Sequence, residues 1–327
     1  MSGKIKFFIL FSLLTLVILL LVGKLLFMPT FIQPLKNQGF LKSDSLKIDA
    51  KKRDFYLYHP NNSSVPDKLI LAFHPATENG NYMRMISGYT LDSIADAENI
   101  FICYPNAYYG YWNDKLSEVI TKASTENVDE VSFVRGIIHS IETNYNTKLK
   151  YIYLLGLSQG GAMVYRLCLE IPDEITAATV VAANLSVKKT LDMDSVKKPV
   201  SMLIINGVKD PICPYSGGEI NILHLIKRGY VYSAKTTVSY WANCAGYNSP
   251  TSTDSLVNEE NEKIASVINY EEKGKKNICL YSVMEGGHTL PHPAVNSPKV
   301  FGKTVHDFNG TLLSWQFFKK NTLLMEN

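Results

Sequence analysis

The stretch from Tyr151 to Leu169 limits the possible folds of this chain more than any other. Tyr151-Ile152-Tyr153-Leu154-Leu155 is a continuous apolar run, the pattern of a strand buried on both faces. It leads straight into Gly156-Leu157-Ser158-Gln159-Gly160-Gly161, after which Ala162 to Leu169 has helical patterning. A strand that turns into a helix within so few residues needs glycine where backbone passes backbone. The serine is left exposed at the apex of the turn. Units of this kind belong to mostly parallel sheets with helices packed on both faces.

The remaining chain repeats that alternation. Phe55 to Tyr58 reads as an early strand, and Leu69 to Phe73 as a buried one ending at His74-Pro75. Ile100 to Tyr104 is a second buried run. Val131, Val134, Ile137, Ile138 and Ile141 then mark a helix within Asp129–Tyr145. Ala177 to Ala183, Val200 to Ile205 and Ile278 to Val283 are further short apolar runs. The polar stretch Ser249 to Lys276 is expected to be a surface excursion, a small helical insertion. The apolar fraction of 46% supports a sizeable core in 327 residues, and the net charge of +3 is spread without basic runs. That distribution argues against a nucleic-acid partner.

The N-terminal region has a different character. Lys4 and Lys6 precede an uncharged stretch from Phe7 to Gly23, which as a helix covers about 25 Å. With Lys24 to Met28 the helix reaches about 33 Å, enough for the hydrocarbon slab. It is too long for the apolar region of a cleaved leader, and no Ala-x-Ala-like site follows. The expected organisation is a cytoplasmic 1–6, a transmembrane anchor over 7–28, a tether over 29–47 and a catalytic domain over 48–327. The lysines keep the N-terminus inside, so the body lies outside the cytoplasm; secretion after cleavage is the alternative. Of the five cysteines, Cys244 and Cys279 are the expected disulfide pair if one forms. No Cys-x-x-Cys pair supports a zinc site.

A serine hydroxyl becomes a nucleophile only with a base beside it and a carboxylate to orient that base. On a strand–turn–helix serine the chain order is Ser, then Asp or Glu, then His, each on a loop after a strand. Asp210 follows the run ending at Ile205, whereas Asp192 and Asp194 precede it in a polar segment. His288 follows Gly286-Gly287 after the strand ending at Val283. His292 lies between two prolines, and His306 in a helix-like tail. The predicted triad is Ser158, Asp210 and His288. The oxyanion donors are the amides of Gln159 and of Ala76, because Pro75 has no N–H. His74 precedes the nucleophile and is expected to brace its loop, on a strand towards the sheet edge. This chemistry calls for no metal or organic cofactor.

These segments resemble the polyhydroxybutyrate depolymerase and feruloyl/acetylxylan esterase group of α/β-hydrolases. Gly156 to Met163 is similar to that group's nucleophile motif. Asp210-Pro211-Ile212-Cys213-Pro214-Tyr215-Ser216-Gly217-Gly218 is similar to its Asp-Pro-x-Val-Pro-Tyr-x-Gly-Gly segment. Trp241-Ala242-Asn243-Cys244 resembles its Trp-x-x-Asn-x-Cys region, one residue tighter. Gly286-Gly287-His288-Thr289-Leu290-Pro291 resembles its Gly-Gly-His-Thr-Trp-Pro, with Leu290 in place of the tryptophan. The resemblance implies an α/β-hydrolase fold and a serine esterase acting on hydroxyalkanoate, aryl, feruloyl or acetyl esters, with the triad already assigned. His74-Pro75-Ala76-Thr77 departs from the group's His-Gly-Cys-Thr, and Leu290 is expected to alter the substrate wall. A peptidase, thioesterase or lipase on the same core, or a non-catalytic membrane-anchored binding protein, is the alternative reading.

Overall fold

The structure, a computed structural model, describes residues 15, 23, 26, 28–33, 38–187, 198–222 and 226–326. The predicted anchor over 7–28, and Asp192 and Asp194, lie almost wholly outside them. Among the described residues no helix is long and apolar enough to cross a membrane.

The chain opens with antiparallel strands β1 (Phe40–Ile48) and β2 (Lys51–His59), followed by β3 (Lys68–Phe73). Helices α1 (Gly80–Ile86) and α2 (Thr90–Glu98) lead to β4 (Phe101–Pro105). The short α3 (Lys122–Thr125) and long α4 (Glu130–Tyr145) lead to β5 (Tyr151–Leu157), α5 (Gln159–Glu170) and β6 (Ala177–Val181). Then come β7 (Ser201–Gly207), the hairpin β8 (Gly218–Ile222) and β9 (Ile226–Val231), and α6 (Ala234–Cys244). Strands β10 (Ser252–Val257), β11 (Lys263–Tyr270) and β12 (Ile278–Val283) precede α7 (Gly310–Glu326).

Ten strands form one sheet in the order β1-β2-β4-β3-β5-β6-β7-β12-β11-β10. The six from β4 to β12 in that order pair in parallel, and the outer strands are antiparallel. Period-2 alternation divides each central strand between two cores. Leu69, Leu71 and Phe73 join α4, α5 and α6 on one face. Ile70 and Ala72 join α1, α2 and α7 on the other. Burial on both faces is why these strands read as unbroken apolar runs.

Strand β4 lies on one side of β3 and β5 on the other, so the strand order reverses there. The crevice beyond the C-terminal ends of β3 and β5 is where open α/β sheets hold ligands. It brings the 74–77 loop beside Ser158. Here β3 is a central strand and not an edge one.

Three other expectations are corrected. Strand β1 (Phe40–Ile48), all but its last residue expected within the tether, is turned onto β2 by Asp49 and Ala50, both at positive φ. Ser249 to Lys276, expected to be helical, supplies β10 and β11, which extend the sheet to its edge. Cys244 and Cys279 are not joined, and all five cysteines are free thiols.

Candidate active site

Ser158 occupies the single step between β5 and α5, at φ 56° and ψ −119°. A non-glycine residue in that region is strained and persists only where the surroundings fix it. The neighbouring glycines make room for the turn. A Cβ on Gly156 would lie 2.2 Å from the Gly160 carbonyl oxygen, and one on Gly160 would lie 2.2 Å from that of Phe73. On Gly161 it would meet Val180 and Ala183. The three glycines therefore let α5 start directly beneath β3 and β6, with the hydroxyl facing outward.

Asp210 and His288 reach Ser158 from the ends of β7 and β12. His288 Nε2 lies 2.7 Å from Ser158 Oγ, and His288 Nδ1 lies 2.7 Å from Asp210 Oδ2. The aspartate cannot rotate freely, because its Oδ1 accepts the amides of Ile212 and Cys213, each at 2.8 Å. Its side chain is 2% exposed and that of the histidine 8%. Glycines set this approach too, since a Cβ on Gly207 would lie 2.3 Å from the carbonyl oxygens of Gly286 and Gly287. The structure brings all three predicted residues together.

Two amides face the serine's surroundings. Gln159 is the first residue of α5, and the first N–H groups of a helix have no acceptor within it. In the loop after β3, Pro75 has no N–H and the Thr77 amide donates to Gly110 at 2.7 Å. Among the described residues the Ala76 amide has no acceptor. Both Gln159 and Ala76 line the same cavity as Ser158 and His288.

The other histidines have different partners. His74 is a brace, as expected: Nε2 accepts the Ala107 amide at 2.9 Å, so Nδ1 carries the proton given to the Pro75 carbonyl at 2.7 Å. Its carbonyl accepts Trp112 Nε1. Burial, aided by the Arg53 charge, holds its pKa down to about 4. His292 Nδ1 accepts the amides of Ala294 and Val295, and its Nε2 faces Thr90. His306, expected in a helical tail, is on a loop ahead of α7 and touches the His292 carbonyl.

The cavity holds about 320 Å³. Its far wall is the β8–β9 hairpin, which sequence reasoning missed. The hairpin is tied down where the Val187 amide donates to Tyr230 and the Tyr232 amide to Leu185, each at 2.9 Å. It contributes Ile220, Ile222, Arg228 and Tyr230. A second missed feature is the Gln159 side chain. It bonds both backbone groups of Trp112, at 3.1 and 3.2 Å, and Asp114 Oδ2 at 3.0 Å. This locks the 111–117 loop against the helix start. Leu290, which stands where the group has tryptophan, is buried in the core and is not among the residues lining the cavity.

Comparison with known proteins follows the same direction. No protein-family profile matches the chain. It is 24% identical over 177 residues to a bifunctional acetylxylan esterase/xylanase of Neocallimastix patriciarum, covering 54% of this chain and 24% of that protein. It is 26% identical over 172 residues to a probable feruloyl esterase C of Aspergillus niger, covering 51% of this chain and 58% of that one. The chain thus spans well under two thirds of these relatives' lengths. An acetyl xylan esterase from Aspergillus awamori superposes with a TM-score of 0.52 at 15% identity, over 77% of this chain and 95% of that one. The fold is that of an α/β-hydrolase, and the sequence relatives are feruloyl and acetylxylan esterases.

Proposed function

We propose that the protein hydrolyses carboxylic esters, with Ser158 as nucleophile, His288 as general base and Asp210 as the carboxylate that orients it. The observation that carries this reading is the unbroken pair of 2.7 Å contacts from Asp210 through His288 to Ser158 Oγ, opening on a cavity. Attack begins as Ser158 Oγ bonds to the ester carbonyl carbon and His288 Nε2 takes its proton. The negative Asp210 stabilises the imidazolium that forms. The amides of Gln159 and Ala76 donate to the oxyanion, the charge that is new in the transition state. Collapse expels the alcohol, which receives the proton from His288. Water then attacks the acyl-serine by the same route and releases the acid.

The ester class is supported by the similarity to feruloyl and acetylxylan esterases and by the apolar cavity wall, which suits short acyl and aryl groups. A fluorophosphonate probe is expected to label wild-type protein at Ser158. Ser158→Ala should abolish labelling and lower 4-nitrophenyl acetate turnover by about 10⁴-fold or more. Undiminished turnover by the Ser158→Ala protein removes the assignment. The anchor over 7–28, with the catalytic domain outside the cytoplasm, is proposed on sequence pattern alone. N-terminal sequencing of the mature protein distinguishes an anchor from a cleaved leader.

A further inference from the structure

We infer that Arg228 is a specificity-determining residue, selecting esters that carry a carboxylate group elsewhere in the molecule. The inference rests on the ester-hydrolase reading and adds the substrate's charge to it. Residues two apart on a strand share a face, and Arg228 and Tyr230 of β9 both line the cavity. Ile220 and Ile222 face it from the paired strand β8. The hairpin therefore presents a permanent positive charge to a mostly apolar wall, since a guanidinium does not deprotonate.

That charge lacks a partner among the described residues. No described carboxylate lies within ion-pair distance of Arg228, and its buried Nε–H has no acceptor among the described residues. Its one described contact is with Tyr111, whose ring centroid lies 5.6 Å from the guanidinium carbon. A ring face attracts the charge but gives the N–H groups no oxygen. Leaving a buried donor unfilled is unfavourable, the more so when it is charged. A neutral ester leaves that deficit in place. A carboxylate removes it, because the planar fork of guanidinium N–H groups matches two carboxylate oxygens. Glu78 is the other charged side chain on the wall, and it forms no ion pair among the described residues.

The test uses pairs of esters that differ only in charge. Mono-4-nitrophenyl adipate is set against its methyl ester, which places the carboxylate on the acyl side. 4-Acetoxybenzoate is set against methyl 4-acetoxybenzoate, which places it on the alcohol side. For at least one pair, wild-type protein is expected to favour the charged member at least tenfold in kcat/KM. Arg228→Gln should reduce that ratio about 10- to 100-fold. Arg228→Lys, which keeps charge but loses the fork, should fall between them. Raising salt to 1 M should shrink the wild-type ratio. A wild-type ratio of one or below in both pairs, or a ratio unchanged in Arg228→Gln, overturns the inference. Failure of the esterase reading has a different signature: Ser158→Ala would hydrolyse all four esters like wild type. Calorimetry separates the two questions. The Ser158→Ala protein should bind monomethyl adipate at least tenfold more tightly than dimethyl adipate, and adding Arg228→Gln should erase the difference.

Discussion

His74 follows β3 and His288 follows β12; both are buried and both ring nitrogens of each are engaged, yet only one is placed to accept a proton. At His288 the ring sits between a carboxylate and a hydroxyl, so an added proton is welcomed from behind by Asp210. At His74 the accepting nitrogen is already filled by the Ala107 N–H, and the other side meets a neutral carbonyl. Protonation there would set one N–H against another, under the field of Arg53. Burial alone neither makes nor unmakes a general base; what faces each ring nitrogen decides it.

The comparison breaks most visibly in turnover. His288→Ala is expected to lower kcat on 4-nitrophenyl acetate by about 10⁵–10⁶-fold, and Asp210→Asn by about 10⁴-fold. His74→Gln keeps an acceptor oxygen for the Ala107 amide, so its loss should be about tenfold at most, through looser placement of Ala76. A loss at His74 as large as that at His288 would mean that the two rings do not have the distinct roles their partners indicate.

The residues in this contrast were largely legible in the sequence, because the glycines that mark them are local even where the contacts that require those glycines are not. Gly160 is required by a clash 2.2 Å from the Phe73 oxygen, and such glycines mark Ser158 and His288 from within a few residues. What stayed hidden arises from partners remote in sequence or from weak patterning. Strand β1 turns into β2 through Asp49-Ala50, both at positive φ; the glycine that usually signals such a two-residue turn is absent. Strand β10 is exposed along nearly its whole length, so it carries no apolar alternation to read. Arg228 has no local signature at all. Its place in the cavity depends on the β8–β9 hairpin docking against Leu185 and Val187, some forty residues earlier.

A smaller effect concerns stability in acid. In the unfolded chain His74 titrates near 6.5, and in the fold burial lowers it to about 4. Between those values the unfolded state binds more protons, so the contribution is fully present above pH 6.5 or so and falls as pH drops towards 4. The loss attributable to this residue is about 3 kcal/mol at most. Urea unfolding at pH 7.0, 5.5 and 4.5 measures it, read as the difference between wild type and His74→Gln. That difference should narrow steadily towards acid. A constant difference would show that the His74 ring is no more costly to protonate in the fold than in the open chain.

The smallest expected effect is none, and it sharpens the comparison furthest. An amide N–H can only donate, so the Ala107 contact fixes His74 Nε2 as the unprotonated nitrogen and Nδ1 as the protonated one. In ¹⁵N spectra of the ring, His74 should therefore hold this single tautomer from pH 8 to pH 6, with no movement of either nitrogen. Phosphonylation of Ser158 replaces the hydroxyl that faces His288 Nε2, so the His288 signals should move. His74 is buried, is not among the residues lining the cavity and exchanges no hydrogen bond with either residue among the described contacts, so its signals should stay in place. Movement of the His74 nitrogens on phosphonylation would reveal that the 74–77 loop repacks when the site is occupied. The amide of Ala76 would then be recruited by the substrate, not held ready for it.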